Sequence, residues 1–190
     1  MLEQILEYDT QLFLYLNKLG SERWDALWLL ITQEFTFVPL YAILLLLIYK
    51  SFGLKPLLLF ILVIAVMITF TDQITNLFKH TVQRPRPCRL DELANEGMRY
   101  IASRCGRYGF FSGHSSNSMA AAVFGGLLLR NYFKNLIFIL LFWSFIVGYS
   151  RIYVGVHYPL DLFFGFAFGA LTGFAFYKLA LYLKGRFIVS

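Results

Sequence analysis

Long apolar runs with short polar punctuation dominate this sequence. Residues 2–18 are the exception: Leu, Ile and Phe alternate with Glu3, Gln4, Glu7, Asp9 and Asn17. That pattern predicts an amphipathic helix lying in a membrane interface, too polar to span. Gly20 and Ser21 end it. Residues 24–49 form the first run long enough to cross about 30 Å of hydrocarbon with some tilt. Gln33, Glu34, Thr36 and Pro39 interrupt it. A bend with an inward-facing polar spot explains them, and so does a Glu near the interface of a tilted helix. Residues 56–79 predict a second span, with Pro56 in its first turn. Its last third turns polar from Thr71 to Lys79, as expected where a helix approaches a water-filled site. Residues 115–130, rich in Ala and Gly, predict a short third span buried among the others. Residues 135–149 and 159–183 predict the fourth and fifth. Gly165, Gly169 and Gly173 recur at every fourth position of the fifth, which lets helices approach closely, within the bundle or between chains.

The expected fold is therefore all-α: an integral membrane helical bundle of about five transmembrane helices plus an N-terminal interfacial helix. One domain over residues 1–190 is the natural expectation for this length. Composition agrees. Only 15% of residues are charged, where a soluble domain carries roughly a quarter. The mean hydropathy is +0.62. The net charge of +6 does not call for nucleic acid. The basic residues sit at segment ends and in one loop, where topology and anionic headgroups account for them. The expected partners are the bilayer and an anionic lipid. Residues 1–20 carry acids where a signal peptide needs a basic region, so no cleavable signal is expected.

Five spans bring the ends of the second and fourth, and the starts of the third and fifth, to one side. Lys50, Lys55, Arg130, Lys134, Lys184 and Arg186 occupy the other side with no acid among them. The positive-inside rule makes that side cytoplasmic. The expected setting is a bacterial inner membrane, with the first side facing the periplasm or exterior. The one long loop, residues 80–113, holds Cys88 and Cys105. They fit a disulfide in an oxidising compartment, or two free thiols. Together with His80 they lack the spacing of a zinc set.

Three polar clusters fall on the shared side. The first joins Lys79, at a helix end, to Arg86 between two prolines. A Lys point charge and an Arg fork suit a phosphate; a snorkelling Lys beside a positive loop is the plainer explanation. The second is Ser112, Gly113 and His114, directly before the third span. A helix N-terminus with a glycine attracts anions, while a serine there also serves simply as an N-cap. The third cluster, residues 150–161, reads SRIYVGVHYPLD. It places Arg151 beside His157, and His157 four residues before Asp161, so that the carboxylate can fix the imidazole tautomer.

Together these suit a phosphate monoester dianion. His157 is the expected nucleophile, Asp161 its orienting carboxylate, and His114 the acid and base. Lys79, Arg86, Ser112, Gly113 and Arg151 are expected to hold the phosphate oxygens. No acidic cluster suited to a metal is apparent, so catalysis without metal or cofactor is expected.

These motifs resemble the type 2 phosphatidic acid phosphatase superfamily, whose pattern is K-x6-RP, PSGH and SR-x5-H-x3-D. Lys79 through Pro87 matches the first, and residues 150–161 match the third. In the second, Phe111 stands where the family usually has Pro. The resemblance implies a helical-bundle, metal-independent phosphatase with the site roles given above. It includes soluble vanadate-binding haloperoxidases, a branch that the hydrophobicity here argues against. Six-span members exist; this chain looks similar with an interfacial helix in place of a first span. It also looks similar to bacterial lipid phosphatases, lipid A 1-phosphatases among them. The substrates so implied are lipid A 1-phosphate, undecaprenyl pyrophosphate, phosphatidylglycerol phosphate and phosphatidic acid. Arg84, Arg89, Arg99, Arg104 and Arg107 in the loop could favour a strongly anionic headgroup. A non-catalytic phospholipid binder or transporter would keep the anion pocket but would not need both histidines and Asp161.

Overall fold

The computed structural model describes residues 1–188. These residues form eight α-helices: α1 (Leu2–Lys18), α2 (Glu22–Ile31), α3 (Val38–Phe52), α4 (Leu54–Val82), α5 (Asp91–Asn95), α6 (Gly113–Leu129), α7 (Leu136–Tyr153) and α8 (Pro159–Phe187). Short 3-10 turns precede α3 (Glu34–Phe37) and α5 (Pro87–Arg89). Among the described residues the only strand-like pairing is a single bridge between Pro85 and Tyr108.

Among the described residues, four segments are long and apolar enough to cross a membrane: Glu34–Phe52, Leu54–Val82, Leu136–Tyr153 and Pro159–Phe187. The central α6, 17 residues long, runs among them. It packs against α4, α7 and α8, so most of its surface meets protein, and Ser, Asn and Gly are tolerated where lipid would reject them. At 29 residues, α4 is about 44 Å long and outreaches a hydrocarbon core of about 30 Å. Its polar last turns, including Lys79, therefore project beyond the apolar layer. The ends of α4 and α7 and the starts of α6 and α8 lie together. The basic residues from Lys50 to Arg186 named above lie at the opposite ends.

The run expected as one span over residues 24–49 is instead two helices. The chain breaks at Thr32 and Gln33, turns through Glu34–Phe37 and restarts as α3 with Pro39 in its first turn. Proline disfavours helix in the residue before it and supplies no N–H. Two of the adjacent polar side chains reach toward the site, Thr32 to Arg151 and Glu34 to His114. α2 then lies against the end of α7, where the Trp28 ring stacks on Tyr153 with centroids 5.0 Å apart.

The N-terminal helix is amphipathic, as expected, but its buried face is half polar: Asp9, Phe13, Leu14 and Asn17. Asn17 Nδ2 donates to the carbonyls of Ile152 at 2.9 Å and Tyr153 at 3.1 Å. Both carbonyls lie in the last turn of α7, where helical partners run out; that of Ile152 also accepts from the Gly155 N–H at 3.0 Å. Asn17 Oδ1 accepts from the Arg99 N–H at 2.7 Å. Thus α1 caps the site end of the bundle.

The glycine stripe of α8 packs within the chain. A Cβ on Gly165 would sit 2.8 Å from the Ser112 carbonyl oxygen, and one on Gly173 2.5 Å from that of Ala120. Gly169 meets the Ser116 carbonyl in the same way. This contact sets the distance between the two helix starts that carry the site. Gly169→Leu is expected to force them apart and to lower the thermal midpoint in detergent sharply, overpacking alone costing about 1–3 kcal/mol. An unchanged midpoint would contradict the close approach.

The loop after α4 is ordered by a disulfide between Cys88 and Cys105, by the Gly109 N–H donating to the Arg84 carbonyl at 2.9 Å, and by Leu93, which packs with Phe13, Leu14, Tyr158 and Leu162. Phe111 has a packing role. Its ring lies 5.1 Å from that of Phe78 on α4 and 5.2 Å from that of Phe168 on α8, tying the start of α6 to both neighbours.

Candidate active site

The third cluster is built at the junction of α7 and α8. Gly155 makes the turn: its φ is +84°, and a Cβ there would lie 2.6 Å from the Arg99 carbonyl oxygen. A side chain would be strained on both counts. His157 follows, only 2% exposed. Its Nδ1 lies 3.1 Å from Asp161 Oδ2. Asp161 is fully buried in the first turn of α8, where the helix N-terminus favours a negative charge. The Tyr158 N–H donates to the same oxygen at 3.1 Å. An ionised carboxylate only accepts, so it assigns the ring proton to Nδ1 and leaves the Nε2 lone pair free.

The other Asp161 oxygen accepts from Arg84 Nη1 at 3.1 Å. Arg84 is clamped in turn: its Nη2 donates to Asp9 Oδ2 at 2.7 Å, and its guanidinium lies 3.9 Å from the Tyr158 ring centroid. Asp9 Oδ1 accepts from the Leu160 N–H at 2.8 Å. Sequence reasoning misses both residues as site elements. Asp9 reads as one more polar position in α1, and Arg84 as part of a basic loop. One signal was available: Asp9 shares a four-residue spacing with Phe13 and Asn17, so an acid sits on the stripe that faces the protein. Gly109 is a third missed residue. A Cβ there would meet Asp161 Oδ2 at 3.0 Å, Arg86 Cγ at 3.3 Å and His157 Nδ1 at 3.6 Å, so its bareness lets Arg86 close over the His–Asp pair.

For three of the five loop arginines the expectation that they serve a headgroup needs correction. Arg84 is engaged as described, and Arg99 pairs with Asp25 at 2.8 Å beside Tyr153. Arg89 donates to the Cys105 carbonyl at 2.9 Å. These three hold the loop.

The remaining site residues converge from three other elements. Arg86 Nε donates to the Tyr108 carbonyl at 2.9 Å, and its guanidinium lies beside Gly106, 3.1 Å from where a Cβ would be. Lys79 Nζ lies 3.4 Å from Asn76 Oδ1 and 3.6 Å from where a Gly113 Cβ would be, so a bare Gly113 leaves the ammonium at the start of α6. Ser112 is that helix's N-cap; its Oγ accepts from the Ser115 N–H at 3.4 Å, and its hydroxyl proton stays available. His114 follows, with Nε2 3.8 Å from Glu34 Oε1 at the break before α3. Arg151 is held by the Thr32 hydroxyl, and its buried Nε–H has no partner. Asn117 on α6 donates to Asp72 on α4 at 2.7 Å, locking the two helices in register.

Among the described residues, none of Lys79, Arg86 and Arg151 has a carboxylate within ion-pair distance, and no three His, Cys, Asp or Glu side chains lie close enough to hold a metal ion. Three gathered, unpaired cations repel one another, and a multiply charged anion relieves that repulsion. Beside them is an imidazole with a free lone pair. Burial, and then the charges of Arg86, Arg151, Lys79 and Arg84, push the His157 pKa well below its ordinary value. The ring is therefore neutral at pH 7. Acidification below about 6.5 protonates this histidine in the unfolded chain but not in the folded one. Native stability is thus expected to drop as pH falls through that range, and to drop less in His157→Gln. Identical pH dependence of the two thermal midpoints would rule this out.

Residues 56–184 match the family model of the PAP2 superfamily. The chain belongs to that superfamily. This PAP2 protein is a multi-pass membrane phosphatase. It is 36% identical to the lipid A 4'-phosphatase of Bacteroides thetaiotaomicron over 98% of its own length and 83% of that protein's. It is 33% identical to the lipid A 4'-phosphatase of Porphyromonas gingivalis, over 98% and 79% respectively. Its fold matches the crystal structure of a transmembrane PAP2 type phosphatidylglycerolphosphate phosphatase from Bacillus subtilis, with a TM-score of 0.75 at 20% identity, covering 97% of this chain and 89% of that one. Both these sequence relatives are lipid A 4'-phosphatases by name, whereas the resemblance drawn from the sequence named lipid A 1-phosphatases among the bacterial lipid phosphatases.

Proposed function

We propose that this PAP2 protein hydrolyses a phosphate monoester on a membrane lipid, with lipid A 4'-phosphate as the foremost candidate. The observation that carries the reading is the unpaired cationic trio beside the Asp161-held His157, at one end of a membrane bundle. The two 4'-phosphatase relatives support the choice of lipid.

In this reading His157 Nε2 attacks phosphorus in line while the bond to the sugar oxygen breaks. His114 gives that oxygen its proton. Water then attacks the phosphohistidine, His114 takes the water's proton, and inorganic phosphate leaves. Lys79, Arg86, Arg151, the Ser112 hydroxyl and N–H groups at Gly113 hold the three peripheral oxygens as charge redistributes. Asp161 stabilises the positive ring.

The site end faces the periplasm of a bacterial inner membrane in this proposal. Basic residues crowd the opposite end, as the positive-inside rule expects of a cytoplasmic face, and the disulfide at the site end suits an oxidising compartment. The test is phosphate release in one detergent from lipid A carrying only a 4'-phosphate or only a 1-phosphate, with phosphatidylglycerol phosphate, undecaprenyl pyrophosphate and phosphatidic acid alongside. The highest kcat/KM is expected for the 4'-phosphate, undiminished by EDTA. A higher kcat/KM for another lipid reassigns the substrate. Release from none of them leaves the non-catalytic binder.

A further inference from the structure

The contacts that hold the Arg86 side chain come from the leg of the loop that returns to α6. Its Nε donates to the Tyr108 carbonyl at 2.9 Å. Its head lies against the bare Gly106, where a Cβ would sit 3.1 Å from Cζ, Nε and Nη2. Its stem lies against Gly109, where a Cβ would meet Cγ at 3.3 Å. Arg86 itself stands on the leg that leaves α4. Its place therefore depends on how the two legs are paired.

The legs are pinned on both sides of Arg86. Toward α4, the Gly109 N–H donates to the Arg84 carbonyl at 2.9 Å, and Pro85 bridges Tyr108. On the far side Cys88 is bonded to Cys105, with Cα atoms 6.1 Å apart, and Arg89 donates to the Cys105 carbonyl at 2.9 Å. Ser103, Arg104, Gly106 and Arg107 are all exposed, so burial does little to hold the returning leg there. The two cysteines are 17 positions apart. Without the cross-link, closing a loop of that length costs conformational entropy, and a hydrogen bond exposed to water offsets little of it. Arg84 is different: Asp9 and Asp161 hold its fork from outside the loop.

We propose that the Cys88–Cys105 disulfide positions Arg86 for phosphate, so that the thiol–disulfide state of the loop sets the strength of the phosphoryl contact. The proposal rests on the phosphatase reading above, in which Arg86 holds a phosphate oxygen. Both cysteines are only half-buried, within reach of a small dithiol. One thiolate of the dithiol attacks a sulfur of the bond, and its second thiolate displaces the mixed disulfide. Two electrons and two protons pass to Cys88 and Cys105, which become thiols, while the reductant closes as a cyclic disulfide. Gly106 then loses the anchor one residue away, and the guanidinium keeps its charge but not its place. A displacement of about 1 Å is enough to cost roughly a hundredfold in rate. His157, Asp161 and Arg84 lie outside the cross-linked segment and keep their mutual geometry. Full phosphate affinity thus arises only once the loop is oxidised.

Dithiothreitol tests this on wild type and on Arg86→Ala, in one detergent and below the melting transition of the reduced protein. Reduction is expected to lower the wild-type kcat/KM about tenfold or more and to leave the residual kcat/KM of Arg86→Ala unchanged. The double variant Cys88→Ser, Cys105→Ser should match the reduced wild type and ignore the reductant. No loss in the wild type, or an equal fold loss in Arg86→Ala, would overturn the proposal, because a bond that only stabilises the loop acts without Arg86. A second measurement needs no turnover. Oxidised and reduced protein are treated with phenylglyoxal, and the modified arginines are located by mass spectrometry. Arg86 is expected to react faster after reduction and to lose its protection by orthophosphate, while Arg84 keeps its rate. An unchanged rate at Arg86, or the same increase at both arginines, overturns the proposal. If the oxidised wild type releases phosphate from no lipid, the phosphatase reading falls, while the labelling still decides whether the disulfide holds Arg86.

Discussion

His157→Ala is expected to lower phosphate release by roughly 10⁴-fold or more, the scale seen when a nucleophile that works as part of a unit is removed. The buried ring has one nitrogen committed to Asp161 at 3.1 Å, and its other nitrogen is neutral and unprotonated at pH 7. Alanine leaves the cations in place, so binding of the phosphate should survive while attack does not. Vanadate, a stand-in for the five-coordinate phosphorus, should bind more weakly because its axial ligand is gone. The complementary variant, His114→Ala, keeps the nucleophile and loses the proton carrier. With an aryl phosphate, whose leaving group needs no proton, it should show a burst and accumulate acid-labile phosphoprotein. His157→Ala should accumulate none. Activity within tenfold of wild type in His157→Ala would falsify the nucleophile assignment.

Arg84→Ala is expected to lower kcat by roughly 10–100-fold with KM within a few-fold, the scale on which partners that orient a functional side chain act, and to lower the thermal midpoint as well, because truncating one partner of a buried charge pair is destabilising. Both its terminal nitrogens are engaged, one by Asp9 at 2.7 Å and one by Asp161 at 3.1 Å, and its face lies over Tyr158. It therefore acts on the phosphate only through His157. Without it Asp161 loses its second tether, and Asp9 remains as a buried, unpaired acid on the face of α1. Arg84→Lys should recover little, since an ammonium cannot bridge both carboxylates in the plane of the fork. Asp9→Asn should be milder, as the amide still accepts from Leu160 and only the charge is lost. A KM rise that outweighs the kcat loss in Arg84→Ala would show that Arg84 binds phosphate directly.

Much of the site was legible because its residues sit at span ends. Lys79, His114, Arg151 and His157 each border an apolar run, and the alternation of crossings forces such borders to one side. What the sequence hid has two sources. Asp9 and Arg84 are separated by 75 positions, and Asp9 and Leu160 by 151; no local pattern announces such a pairing. The break at Thr32 and Gln33 was hidden for another reason. Its polar residues are few enough to be absorbed by a hydropathy window, and only the neighbouring Arg151 and His114 make their exposure into the bundle favourable.

By itself, then, the order of residues determined the membrane class, the meeting of the motifs at one end of the bundle and the close-packing stripe of α8. Each of these depends on the environment of a segment considered alone: apolar length against bilayer thickness, charge at a boundary, or absence of a side chain. The tertiary structure decided which arginines stand unpaired at the site and which brace the loop, and where α1 docks. Those features are set by distances between helices, and packing alone creates those distances.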